Sequence, residues 1–280
     1  MVAFATLCWS TSGLFVRALP GLDAWTINAY RGLNLSLVLG LWLILRHRGQ
    51  FITLMRTPNR LAMFWFALFF ALGTSMYIAA IQLASVAAVA SLGATSALFA
   101  ALIGRVWLGE KTSKVLWLAI AVAMGGVFLV ASGESKASEH ALLGSVIALG
   151  VALTFAIQSA SLRRYRDVPM EPAYVYGGLA VFGLVVLLVG VQTISWQQYL
   201  LLLGMGAIQL ALPAHFYIRG ARHVTAVQMV LISMMDTVLN PLWVWLLVDE
   251  RPTAPVMVGG ALIVLAIVAS TWWSQRYGSK

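Results

Sequence analysis

The sequence predicts an all-α integral membrane protein whose ten transmembrane helices form two inverted five-helix repeats. Three observations predict it. The 280 residues are 61% hydrophobic and 10% charged, with mean hydropathy +0.90, whereas a soluble domain is about 45–50% apolar and about 25% charged. Charge this scarce does not cover a water-facing surface. The apolar residues run in stretches of bilayer-crossing length, and the basic residues between them sort to one side once each stretch is counted as a crossing.

A crossing helix needs about 20 mostly apolar residues. Ten runs read as crossings: 2–16, 24–45, 61–82, 86–108, 115–132, 141–162, 173–191, 199–218, 224–248 and 256–273. The first starts at Val2 without a basic leader or a small-residue cleavage site before Arg17, so it reads as a crossing, not a cleavable signal. Leu19-Pro20-Gly21 closes the first connection and Arg46-His47-Arg48 ends the second crossing. Only Leu83-Ala84-Ser85 divides the third from the fourth, which demands a tight helical hairpin. Glu110-Lys111 and Arg163-Arg164-Tyr165-Arg166 end the fourth and sixth.

Ten crossings put both termini on one side. That side collects Arg46, Arg48, Arg56 and Arg60, then Arg105, Lys111 and Lys114, then Arg163, Arg164 and Arg166, and finally Arg219, Arg222, Arg276 and Lys280. The other side holds Arg17, Lys136 and Arg251, and Arg31 lies inside the second crossing. Cytoplasmic loops carry the excess of Lys and Arg. The expected location is therefore a bacterial inner membrane, with both termini in the cytoplasm.

Internal similarity divides the chain into residues 1–138 and 139–280. At an offset of 140, Leu108-Gly109-Glu110-Lys111-Thr112 meets Val248-Asp249-Glu250-Arg251-Pro252, and Ala84-Ser85-Val86-Ala87 meets Val224-Thr225-Ala226-Val227. At 146, Tyr30-Arg31-Gly32-Leu33 meets Tyr176-Gly177-Gly178-Leu179, and Trp9 meets Phe155. Five crossings per half oblige the second half to enter from the opposite face. Two antiparallel halves around an axis in the membrane plane are a recurrent transporter architecture, because exchanging their conformations converts an outward-open cavity into an inward-open one.

Residues Cys8-Trp9-Ser10-Thr11-Ser12-Gly13, Arg31, Leu108-Gly109-Glu110 and Asp236-Thr237-Val238-Leu239-Asn240-Pro241-Leu242-Trp243, with Asp249-Glu250, carry a resemblance to a known family. Along essentially its whole length the chain resembles the EamA-type members of the drug/metabolite transporter superfamily, and within them it looks like exporters of aromatic amino acids and paraquat. The resemblance implies metabolite export through a central cavity lined by both repeats. One departure is the fourth crossing, where such proteins often carry a proline but Ser91 to Ala101 has none. The ninth crossing has Pro241, so helix bending is expected to be confined to the second repeat.

Ionisable groups inside crossings are costly and are candidates for function by default. Asp236 suits a substrate ammonium or a proton, Arg31 a substrate carboxylate, and His215 a proton relay beside Pro213. An ion pair or a bond to a backbone carbonyl is the competing role for each. Trp9, Tyr30, Phe155, Tyr176 and Trp243 lie at depth, where an aromatic lining suits aromatic solutes or organic cations. Ser12, Asn34, Tyr77, Ser91, Ser96, Gln158, Gln209 and Gln228 supply polar groups that either bind a solute or join helices. The substrate-binding set expected from these is Trp9, Ser12, Tyr30, Arg31, Tyr77, Ser91, Gln158, Tyr176, His215, Gln228 and Asp236.

The expected activity is export of amino acids, aromatic or apolar, by alternating access. Protons are a candidate coupling ion, and the chain would act as a monomer or homodimer. A multidrug or organic-cation exporter is the alternative, and an intramembrane enzyme on lipid-borne substrates is one from another class. No cofactor, metal or nucleic-acid partner is expected. The single Cys8 builds neither a disulfide framework nor a Cys-rich metal site, no phosphate-cradling loop or nucleophile elbow is present, and the basic residues are not interleaved with aromatics on a soluble face.

Overall fold

The structure, a computed structural model, describes residues 1–56, 59–84, 86–132, 141–248 and 254–277. Among the described residues every regular element is helical. The order is α1 (Val2–Trp9), α2 (Ser12–Arg17), α3 (Ala24–His47), α4 (Phe51–Met55), α5 (Arg60–Leu83), α6 (Val86–Gly93), α7 (Ser96–Ile103) and α8 (Lys114–Ser132). It continues with α9 (Ala141–Arg164), α10 (Glu171–Leu188), α11 (Trp196–Gly204), α12 (Leu212–Gly220), α13 (Ala226–Ser233), α14 (Asp236–Val248) and α15 (Ala254–Tyr277). Wider π turns follow α7 (Gly104–Leu108) and join α11 to α12 (Met205–Ala211).

Eight helical stretches are long and apolar enough to cross a bilayer. They match eight of the ten expected runs. The first run is instead divided into α1 and α2, each too short alone, and the apolar part of α8, Lys114–Val130, falls short of the same length. Lys136, the 138/139 boundary, Ser85, Asp249, Glu250, Arg251, Pro252 and Lys280 lie outside the described residues.

Helix breaks correct one expectation. Bending is not confined to the half that holds Pro241: α6 gives way to α7 at Ala94-Thr95 without any proline, and α13 gives way to α14 at Met234-Met235, ahead of Pro241. The two breaks stand at the same 140-residue offset as the sequence repeat. Each carries a hydroxyl that bonds back into the preceding turn, as does the α1–α2 break. Thr95 Oγ1 donates to Leu92 O at 2.6 Å, Ser233 Oγ to Met229 O at 2.8 Å, and Ser10 Oγ and Thr11 Oγ1 to Leu7 O and Cys8 O at 2.7 Å each. Such bonds offer carbonyls a partner other than the helical N–H and bend the helix.

Two glycine crossings bring the halves together. A Cβ on Gly32 of α3 would lie 2.9 Å from the Gly178 carbonyl of α10, and one on Gly178 would strike the Gly32 carbonyl in return. Ser36 Oγ adds a 2.8 Å bond to Val175 O at this crossing. Likewise a Cβ on Gly126 of α8 would sit 2.6 Å from the Gly259 carbonyl of α15, and one on Gly259 would strike the carbonyl of Gly126. In lipid, where tails compete for apolar surface, such close backbone approach is what holds helices together. The largest buried cluster draws on both halves, with Leu35, Phe66 and Ala97 packed in one body with Met170, Tyr217 and Met229.

Candidate functional site

The site begins on one face of α3, where Asn28, Arg31 and Asn34 recur every third residue and so stack on one side of the helix. Arg31 Nη2 donates to Asn28 Oδ1 at 3.2 Å and Nη1 to Gln209 Oε1 at 3.4 Å. Gln209 sits in the π turn between α11 and α12, and its Nε2 donates to the Trp9 carbonyl at 3.3 Å, at the end of α1. Pro213 contributes no N–H to the turn behind it, and Gln209 in that turn serves the Trp9 carbonyl at the α1–α2 break. Arg31 Nε, Asn28 Nδ2 and both amide atoms of Asn34 are buried without a partner.

Asp236 is the first residue of α14, directly after the break, where a carboxylate is favoured by the helix N-terminus. Its Oδ1 accepts from Asn240 Nδ2 at 3.3 Å, one turn on. Gly13 of α2 faces Asn240, since a Cβ there would be 3.1 Å from Oδ1, and Trp243 Nε1 donates to Ser10 Oγ at 2.8 Å. The α1–α2 break is thus held from two sides, by Gln209 and by α14. Tyr77 of α5 is within electrostatic reach of both Arg31 and Asp236. Tyr77 is 40% exposed. Among the described residues Arg31 has no carboxylate partner and Asp236 no cationic one.

An aromatic group closes on the same region. The Trp9 ring lies 4.9 Å from Tyr217 and 6.2 Å from Phe155, and Phe155 stacks on Tyr217 at 6.3 Å. The Tyr217 hydroxyl is anchored to Ser159 Oγ at 2.9 Å. The structure therefore gathers Trp9, Arg31, Tyr77 and Asp236, with Ser12 at the start of α2 beside Gly13. Ser91 lies on α6, before the Ala94-Thr95 break, and is partly buried.

Other expected residues sit elsewhere. Tyr30, next to Arg31 but on another face of α3, packs edge-on against Phe182 and Tyr199. Tyr176 donates its hydroxyl to the Met55 carbonyl at 3.0 Å, tying α10 to the short α4. Gln158 Nε2 donates to Phe69 O at 3.2 Å, joining α9 to α5. His215 rests edge-on against Trp42, with Nδ1 3.5 Å from Glu171 Oε1. Gln228 is engaged with Thr225 in the capping box that starts α13. Asn28 and Tyr217 were not anticipated. Asn28 was legible as the residue one turn before Arg31; Tyr217 had no local signal, because its contacts come from α1 and α9.

A second polar assembly lies where α7, α9 and α13 converge. Arg163 Nε meets Glu110 Oε1 at 2.8 Å, and Arg163 Nη1 donates to the carbonyls of Ala221 at 2.9 Å and Arg222 at 3.2 Å. Glu110 Oε2 accepts the Ala226 N–H, at the start of α13, at 3.2 Å. Arg222 Nε donates to Arg166 O at 2.9 Å. Glu110, two residues past the fourth expected crossing, is thereby clasped to the end of the sixth and the start of the ninth. Among the described residues no group of His, Cys, Asp or Glu is arranged to hold a metal ion.

Comparison with known proteins bears on what this arrangement serves. Residues 1–132 match the EamA-like transporter family. The pseudopaline exporter CntI of Pseudomonas aeruginosa, from strains UCBPP-PA14 and PAO1, is 29% identical over 188 residues, covering 62% of this chain and 62% of the relative. The chain thus spans 62% of the length of the curated relatives it matches. A crystal structure superposes with TM-score 0.83 at 18% identity, over 99% of this chain and 98% of its own, so the fold is shared throughout. Eight helical stretches of bilayer-crossing length and the match of residues 1–132 to a transporter family support a multi-pass membrane protein.

Proposed function

We propose that this protein is a secondary transporter that exports amino acids, aromatic or apolar, across the bacterial inner membrane by alternating access. The observation that carries the reading is the pair of opposite, partly buried charges, Arg31 and Asp236, each held by neutral amides, neither paired with the other, and both within electrostatic reach of Tyr77. An uncompensated charge at membrane depth costs about 2.5–3.5 kcal/mol on insertion scales. A zwitterion offsets both costs at once, its carboxylate on Arg31 and its ammonium on Asp236, with Trp9 offering a ring face to an aromatic side chain. An organic cation would engage Asp236 alone and leave Arg31 uncompensated, which favours the amino acid over the organic-cation alternative. The relative's cargo, pseudopaline, marks the other end of the range to be tested.

Ten crossings in two inverted repeats, 1–138 and 139–280, make this cycle possible. In this reading α1 and α2 together form the first crossing and α8 the fifth. Supporting it are the matched breaks at Ala94-Thr95 and Met234-Met235 and the reciprocal glycine crossings, in which Gly32 meets Gly178, its own counterpart in the sequence repeat. The Glu110–Arg163 clasp then closes the cytoplasmic end and must release for the site to open inward. Both termini and the 46–60 connection are cytoplasmic, so a cysteine at Thr53 is expected to react with an impermeant reagent only after cells are permeabilised.

Counterflow into liposomes holding the purified protein tests the substrate. Phenylalanine and tryptophan are expected to exchange, whereas phenethylamine, which lacks the carboxylate, and phenylpropionate, which lacks the ammonium, exchange at least tenfold more slowly. Faster exchange of the amine than of the amino acid would replace this reading with the organic-cation one.

A further inference from the structure

At the end of the molecule that carries the Glu110–Arg163 clasp, α5 and α9 splay apart. Deeper in, they touch: a Cβ on Gly73 would be 2.7 Å from Thr154 Oγ1, and Gln158 binds the Phe69 carbonyl. Toward the helix ends the wedge opens into a cavity of about 430 Å³, lined by Asn59, Trp65, Phe69, Trp107, Ser161 and Tyr165 among others. This is within the about 300–1,000 Å³ of small-ligand sites. Trp65 is 47% and Trp107 40% exposed, although each has ring neighbours at hand in Phe69 and Tyr165. Large apolar rings inside and two polar side chains, Asn59 and Ser161, make an amphipathic slot.

Its rim is basic. Arg60 stands between the lining residues Asn59 and Leu61, and Arg164 lies one helical turn beyond Ser161 and next to Tyr165. Both are exposed and, among the described residues, neither meets a carboxylate. The acidic groups nearby in sequence are already engaged, Glu110 with Arg163 and Asp167 with Arg166 at 3.7 Å. Among the described residues no acidic one lines the cavity. Tryptophan and tyrosine at helix ends mark the depth of lipid headgroups, and basic pockets between helices on the cytoplasmic side suit anionic headgroups.

We propose that this groove is a binding site for one anionic phospholipid of the cytoplasmic leaflet. An acyl chain lies along Trp65, Phe69 and Trp107, and the phosphate is held by Arg60 and Arg164. The leaflet follows from the orientation proposed above; the lipid site itself is independent of the transported solute. Because Arg163, Arg164 and Tyr165 are consecutive, the bound lipid stands directly beside the cytoplasmic clasp.

Native mass spectrometry of the delipidated full chain, titrated with phosphatidylglycerol or phosphatidylcholine, tests this without measuring transport. One phosphatidylglycerol is expected to bind at least tenfold more tightly than phosphatidylcholine. R60Q/R164Q should erase that preference, and R56Q, an exposed arginine outside the groove, should keep it. Equal retention of the two lipids by the wild type, or a preference that survives R60Q/R164Q, overturns the proposal. Should the double variant not fold, fluorescence quenching by brominated-chain phosphatidylglycerol decides. The excess quenching over brominated phosphatidylcholine must fall in W65F/W107F, which keeps rings in place, and an unchanged excess also overturns the site.

Discussion

Two regions of this molecule bury charge and treat it in opposite ways. At the clasp, Glu110 and Arg163 meet at 2.8 Å, and they also bond the Ala226 N–H and the carbonyls of Ala221 and Arg222. At the centre, Arg31 and Asp236 are each steadied only by amides, and Arg31 Nε, Asn28 Nδ2 and Asn34 keep unpartnered atoms. A carboxylate and guanidinium that satisfy each other leave no reason for a ligand to enter. Two that are held apart by the fold stay costly until something bearing both charges arrives. In the proposed function the difference separates a joint that holds helices from a site that takes up the solute.

The strongest way to break this comparison is to remove the central acid. Asp236→Asn is expected to abolish both pH-driven export and downhill exchange of amino acids at normal protein levels, because it removes the carboxylate proposed to hold the substrate ammonium. Downhill exchange that persists while pH-driven export is lost would assign Asp236 to a coupled proton instead. Export by the wild type that does not change with pH would remove proton coupling altogether.

Next in size is the other pole. Arg31→Gln should weaken amino acid exchange by about 10- to 100-fold, the equivalent of a charge-assisted bond of about 1.5–3 kcal/mol, while leaving exchange of the matching amine unchanged. Equal loss for both would make Arg31 a scaffold residue. The clasp should behave differently. Glu110→Gln leaves Arg163 without its carboxylate, so thermal stability in detergent should fall by about 1–3 kcal/mol. A double-mutant cycle with Arg163→Gln should show coupling between the two, and relative substrate preference should not change. A shift in preference would show that the two regions are not separate in function.

The smallest effect sharpens the comparison inside the central site. Trp9→Ala should slow aromatic exchange about two- to tenfold more than alanine exchange, because a ring face contributes about 0.5–1.5 kcal/mol beyond area burial. Trp272→Ala, at a ring that lies 54% exposed with Arg276 over it at 5.1 Å, should alter neither. Equal slowing of both solutes in Trp9→Ala would mean that Trp9 serves Tyr217 and Phe155 as packing.

Much of the helix layout was legible because its cause is local. A run of apolar residues in lipid satisfies its own backbone, so Ala24–His47, Arg60–Leu83 and Glu171–Leu188 follow from composition alone. Breaks were harder to read. Proline was the expected signal, yet the α6–α7 and α13–α14 breaks rest on Thr95 and Ser233 hydroxyls, residues that also sit in unbroken helices, as Ser36 does in α3. Whether a hydroxyl bends its helix depends on the neighbours that then accept the bend.

For the candidate site, the residue types at risk in a membrane could be read from the chain: Arg31, His215 and Asp236 are the ionisable groups far from any crossing's end. Which of them share a space could not. Tyr30 and Arg31 are adjacent in the chain and face different neighbours, Phe182 and Tyr199 for one, Gln209 for the other. Gln228 looked like a free polar group and is engaged at a helix start, and Trp9 meets Tyr217 from 208 positions away in the chain. The sequence by itself determined an all-helical, membrane-embedded chain, because hydropathy and helical hydrogen bonding act between near neighbours. Only the tertiary structure decided that Glu110 would be paired and Asp236 left open, because pairing depends on which helix ends meet across the fold.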